Sequence, residues 1–237
     1  MLDWMHCGNS GLLAYLLAGV LVELVEECPY HGSRHVRCEQ LWSDIATGYD
    51  QAGVTKARIT LLEVSSFSEP GSHPCMKTKA IENRYLLQAL IQVCKLHLTD
   101  CVHDLMRLKC LILINDAYTL VETADMFLTR EQHTSLLEHV DNFLVCYNWL
   151  VKNALENGQL RFNFTPKFHM MWHIAYMSQY INPKCTWCFA FEDYMGLVVR
   201  SAIASMAATK MPRIGAKVVE NMCLHLHVQL AQGHLLA

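Results

Sequence analysis

Four groups of residues have the types and spacing to do chemistry. The first is Asp3-Trp4-Met5-His6, just ahead of a strongly apolar run. Asp and His three apart share one side of a helical turn, where carboxylate and imidazole can hold a metal or orient each other. An acid at a helix start also serves as a plain cap or dipole partner. The second is Phe189-Ala190-Phe191-Glu192-Asp193-Tyr194-Met195-Gly196. Here Glu192 and Asp193 sit beside three aromatics and would present carboxylates to Mg²⁺, which prefers oxygen ligands. Acids favoured by a helix N-terminus are the bland alternative. The third is His169-x-x-x-His173 with Cys185-x-x-Cys188. Two His on one helix face and a C-x-x-C pair can close a tetrahedral Zn²⁺ site, although order and spacing differ from the common fingers. Core packing near Trp172 and Trp187 competes with that reading. The fourth is Lys77-Thr78-Lys79-Ala80-Ile81-Glu82-Asn83-Arg84. Lys77, Lys79 and Arg84 would meet a phosphate backbone, or form a solvated face with ion pairs such as Lys79–Glu82.

These groups must be carried by helices. Hydrophobic periodicity predicts helices over 12–27, 35–49, 77–96, 99–127 and 129–157. Three more follow, over 166–180, 188–208 and 213–232. Thr129 with Gln132 reads as a capping box, and Gly158 as the stop of the same helix. Pro166 suits the first turn of the next one. Short strands or extended links are expected at 54–64 and 160–164. The Ser-, Pro- and Gly-rich stretch at 65–74 reads as a linker. The organisation expected is therefore 1–64 with the D-x-x-H segment, a linker at 65–76, and a helical region over 77–237. The fold class is mainly α, a helical bundle with little or no complete sheet.

Composition narrows the field. With 237 residues and 52% hydrophobic content, the chain can bury a real core. Charged residues are 17%, and 19 Lys and Arg against 22 Asp and Glu give a net charge of -3. That balance argues against autonomous DNA binding, which normally shows a basic face. Eleven cysteines lie singly in apolar stretches, as at Cys94, Cys101, Cys110 and Cys146. They read as reduced thiols of an intracellular protein, cytoplasmic or nuclear. The apolar run from Gly11 to Val25 is shorter than a membrane span needs, so a buried helix and no membrane are expected. No phosphate loop, dinucleotide fingerprint, nucleophile elbow or H-E-x-x-H motif is present.

Taken in order, the motifs resemble one family. Asp3-Trp4-Met5-His6 with Gly11-Leu12-Leu13 and Leu16-Leu17-Ala18-Gly19 is similar to the D-x-x-H segment of CACTA-like and related DDE-type eukaryotic transposases. Lys79-Ala80-x-Glu82-x-Arg84-x-Leu86-Leu87 resembles the K-x-x-E-x-R-x-L helix of their helical insertion. Thr165-Pro166-Lys167-Phe168-His169-x-x-x-His173 resembles the P-K-x-H-x-x-x-H element. Trp187-x-Phe189-x-Phe191-Glu192-Asp193-x-x-Gly196 resembles the segment that bears the last acid.

The resemblance implies an RNase H-like nuclease core interrupted by helices, with carboxylates holding Mg²⁺ and DNA as the partner. Glu192 would be the last catalytic acid, with Asp193 beside it at the metal. Asp3 and His6 would belong to the signature near the second acid, and Lys77, Lys79, Arg84 and Lys167 would touch DNA. Neither the first nor the second acid has a counterpart among the matched motifs, and one matched acid cannot build a two-metal site. The expectation is thus a transposase-derived fragment that does not cleave DNA alone. The alternatives are a non-catalytic helical module that forms homo-oligomers, and a domain stabilised by Zn²⁺ on His169, His173, Cys185 and Cys188.

Overall fold

The computed structural model describes residues 3–27, 30–206 and 213–231, without the side chains of 190–194, 197 and 225–231. Among the described residues there are eight α-helices and no strand. They are α1 (Leu13–Glu27), α2 (Arg34–Gln51), α3 (Ala80–Leu96), α4 (Val102–Thr123), α5 (Arg130–Glu156), α6 (Pro166–Met177), α7 (Phe189–Met206) and α8 (Ile214–Ala231). A π-helical turn, Met5–Leu12, runs directly into α1. The mainly α expectation holds. The chain divides into two compact units, Met1–Trp187 and Cys188–Ala237, so 65–76 lies within the first unit.

The first unit is built around α1. Every residue from Leu16 to Val25 is buried, as expected of a helix apolar on all sides. Helices α2 and α3 pack as one pair and α4 and α5 as another, with α6 on α5 and on the π-helical turn. Met5–Glu27 is 23 residues of continuous helix, long and apolar enough by composition to cross a bilayer. In the fold, 89% of its most apolar window is buried within the protein. The π-helical turn was not expected from sequence, and it is what lengthens the apolar run beyond Gly11–Val25.

Local signals account for the helix ends. Thr129 Oγ1 accepts from the Gln132 N–H at 3.2 Å, and Gln132 Oε1 accepts from the Thr129 N–H at 2.9 Å. That is the predicted capping box. Gly158 takes φ +68° just past α5, a conformation that costs glycine little. Neither predicted strand forms. At 54–64, the Arg58 side chain donates to the Val54 carbonyl at 2.7 Å and the Ile59 N–H reaches Tyr49 Oη at 3.4 Å. At 160–164, the Asn163 carbonyl accepts from Tyr147 Oη at 2.9 Å. Side chains thus satisfy backbone groups that a strand would offer to a ladder. The segment 65–76 is anchored by buried Phe67 and by the Met76 N–H on the Ala14 carbonyl at 3.0 Å.

In the second unit, α7 packs on α8, and Asn221 Nδ2 donates to the buried Ser205 Oγ at 3.2 Å. One face of α7 carries exposed Met195, Val199, Ile203 and Met206.

Candidate functional site

Asp3 is buried, and both of its carboxylate oxygens are engaged. Oδ1 accepts from the Met5 N–H at 3.1 Å, and Oδ2 from the His6 N–H at 3.0 Å. The His6 Nδ1 also meets Oδ2. Burial alone would raise this carboxyl. The hydrogen bonds from the His6 imidazole and from the His6 and Met5 N–H groups outweigh it, and Asp3 titrates below its ordinary value. Asp3 is therefore the cap of the π-helical turn, and it also orients the half-exposed His6.

The next residues tie this turn to two distant motif segments. Asn9 Nδ2 donates to the Ala80 carbonyl at 3.1 Å, and Asn83 Nδ2 donates to the Asn9 carbonyl at 3.0 Å. Tyr118 Oη donates to Asn9 Oδ1 at 2.7 Å, and the Trp4 ring stands edge-on to Tyr118 at 5.2 Å. On the other side, the stem of Lys167 in α6 lies over Gly11. The D-x-x-H segment, the start of α3 and the start of α6 thus converge.

Within that cluster the predicted cations divide. Lys77 is exposed and paired with Glu69. Lys79 is exposed at the N-cap of α3, where Glu82 accepts from its N–H at 2.9 Å. Lys167 is half-buried in the first turn of α6. Arg84 is different and corrects its assignment to DNA. It is 3% exposed, with Nε and Nη2 on the Glu122 carboxylate at 2.7 and 2.9 Å. Its Nη1 donates to Asn115 Oδ1 at 2.9 Å, and its guanidinium lies 5.0 Å from the Tyr118 ring centroid. Three of its N–H groups are spent inside the protein and burial shields the guanidinium, so it is not presented to a phosphate.

His169 and His173 meet edge to face at the surface of α6 with Nε2 atoms 2.9 Å apart. Cys185 is exposed, and among the described residues it joins His169 and His173 in no group with ligand atoms within 4.8 Å. Cys188 is half-buried in the second unit. The Glu192 and Asp193 backbone lies in the first turns of α7, and their side chains fall outside the described residues. Three donors already engage the Asp3 carboxylate, and the His6 imidazole is a poor partner for a hard cation such as Mg²⁺.

Sequence reasoning missed the most developed polar site. Glu23, in the middle of α1, is 0% exposed. It accepts from His103 Nε2 at 2.8 Å, Arg107 Nη1 at 3.2 Å and Arg161 Nη1 at 3.5 Å. His103 Nδ1 lies 3.1 Å from Asn153 Oδ1, and Arg107 Nη2 donates to Asp104 at 2.7 Å. Arg161 also meets Glu27 and, at 3.2 Å, Glu26. The hydrogen bond to Glu23 outweighs burial and raises the His103 pKa, with the charge of Glu27 adding and that of Arg107 opposing. These groups border a cleft of about 650 Å³ between the α3–α4 connection and the end of α5. Beside it, Asp44 Oδ2 accepts from Tyr30 Oη at 2.6 Å and meets His97 Nε2 at 2.8 Å. The one signal in the sequence was a glutamate inside an otherwise apolar run, since buried acids require partners.

Compared with protein-family models, curated proteins and solved structures, the chain matches none.

Proposed function

We propose that this chain is the helical part of a DDE-type transposase-like protein, contributing DNA contacts to strand cleavage and transfer. The observation that carries the reading is the convergence just described. Three motif segments, far apart in sequence, meet around the π-helical turn through Asn9, Asn83 and Gly11. Lys79 and Lys167 each stand at the start of a helix there, where the side-chain charge and the helix dipole both favour phosphate. No metal step is assigned, since the side chains of Glu192 and Asp193 lie outside the described residues.

Fluorescence anisotropy with a labelled DNA duplex tests this. Binding is expected at low salt, with Lys79→Glu and Lys167→Glu each reducing the salt slope by about one. No binding, or binding indifferent to both substitutions, overturns the reading. In Mg²⁺ or Mn²⁺ the chain alone is expected to cut DNA no faster than Glu192→Ala. Glu192-dependent cleavage would promote it from a helical part to an enzyme.

A second reading rests on the exposed apolar stripe Met195, Val199 and Ile203 of α7, which repeats every four residues. Such a stripe suits self-association through helices. Sedimentation at rising concentration should show it, and Val199→Asp should abolish it. A strict monomer removes this reading.

A further inference from the structure

We infer that His103 is a pH-operated latch, whose imidazolium ties buried Glu23 of α1 to Asn153 of α5 across the floor of the 650 Å³ cleft. The geometry asks for the doubly protonated ring. Glu23 can only accept, and it faces Nε2 at 2.8 Å. Asn153 presents its carbonyl oxygen to Nδ1 at 3.1 Å. With the amide in that orientation both ring nitrogens donate, which only the imidazolium does.

Charge balance points the same way. Glu23 and Glu27 of α1 and Asp104 of α4 face Arg107 of α4, Arg161 and His103. Three acids meet three cations only while His103 is charged. Glu26 is matched separately by Arg34, at 3.5 Å, besides its contact with Arg161. His97 at the rim is paired with Asp44, and α5 brings Asn153 and the Trp149 ring, 5.7 Å from His103. The Glu23 hydrogen bond also raises the His103 pKa.

When the ring loses its proton, Nε2 keeps its hydrogen for Glu23. Nδ1 becomes an acceptor facing another acceptor, so Asn153 must turn its amide or let go. One negative charge is left unmatched in a buried network. The tie between α1 and α5 through His103 therefore weakens as pH rises. A group with a raised folded pKa stabilises fully below its unfolded value, near 6.5, and that contribution is lost as pH climbs through the folded value.

Histidine NMR of the intact wild-type chain tests the latch directly. His103 is expected to titrate above the ordinary value, moving further up in Asn153→Asp and down in Asn153→Leu. Thermal melts from about pH 6 to about pH 8.5 supply a second readout. The Tm advantage of wild type over His103→Gln should shrink as pH rises, while the other histidines cancel in the difference. Titration of His103 at or below the ordinary value overturns the latch, as does an advantage independent of pH. The wild-type spectrum decides even if a variant fails to fold.

Discussion

Replacing Arg84 by alanine separates a structural from a DNA-binding role. The side chain makes two hydrogen bonds to Glu122, one to Asn115 and a cation–π contact with Tyr118. Hydrogen bonds to charged groups contribute about 1.5–3 kcal/mol each when buried. Glu122 is 35% exposed, so water recovers part of that pairing once Arg84 is gone. Asn115 and Tyr118 add about 1 kcal/mol each. A net loss of about 3 kcal/mol follows, near the lower edge for breaking a buried pair. For a domain of this size that lowers Tm by about 6–12 °C. Urea unfolding of wild type, Arg84→Ala, Glu122→Gln and the double variant measures it, with a coupling of about 1–2 kcal/mol expected. DNA affinity should survive wherever the variant is folded. A stability loss below about 1 kcal/mol together with lost DNA binding would refute the reasoning and return Arg84 to the interface.

Two other perturbations address the π-helical turn and α1. Asp3→Asn should cost about 1 kcal/mol at neutral pH, since it weakens a cap. Because the folded pKa of Asp3 is lowered, the wild-type advantage is complete above the ordinary carboxyl range and fades as acid carries the pH down through the lowered value. Unfolding curves of both proteins between about pH 6 and about pH 2 check this, and an advantage unchanged in strong acid refutes it. Gly19→Ala would place a Cβ 2.5 Å from the Phe162 ring and 2.9 Å from the Arg161 carbonyl. Overpacking of about 1–3 kcal/mol is expected, seen as a lower Tm, and a neutral result would mean the 161–162 segment yields freely.

Most of the helices were legible because their signals are local. Thr129, Gln132 and Gly158 act within a turn or two of their own positions, and the apolar run of α1 and the periodicity of α3 and α5 are one-dimensional patterns. The fate of Arg84 was not legible. A basic residue five and seven positions from Lys79 and Lys77 looks solvated until Glu122 and Tyr118 arrive from another helix. The Glu23 network was hidden for the same reason, since its partners come from α4, α5 and the segment before α6. At 54–64 and 160–164 the link and loop alternatives hold rather than strands, because apolar content does not reveal whether a neighbouring strand exists to pair with. Asp3 was weighed both as ligand and as cap, and only the directions of the Met5 and His6 N–H groups distinguish the two.

The distribution of thiols gives the molecule a built-in reporter. Cys101, Cys185 and Cys223 are exposed, whereas Cys7, Cys38, Cys110 and Cys146 are buried. Burial pushes Cys38 up to about 11 and raises Cys7, Cys110 and Cys146 as well. Alkylation follows the thiolate, so the core sulfurs stay silent at neutral pH until the chain opens. A pulse of iodoacetamide followed by mass spectrometry would therefore count openings helix by helix: Cys7 for the N-terminal turn, Cys38 for α2, and Cys110 with Cys146 for the α4–α5 pair. The clock needs no engineered label.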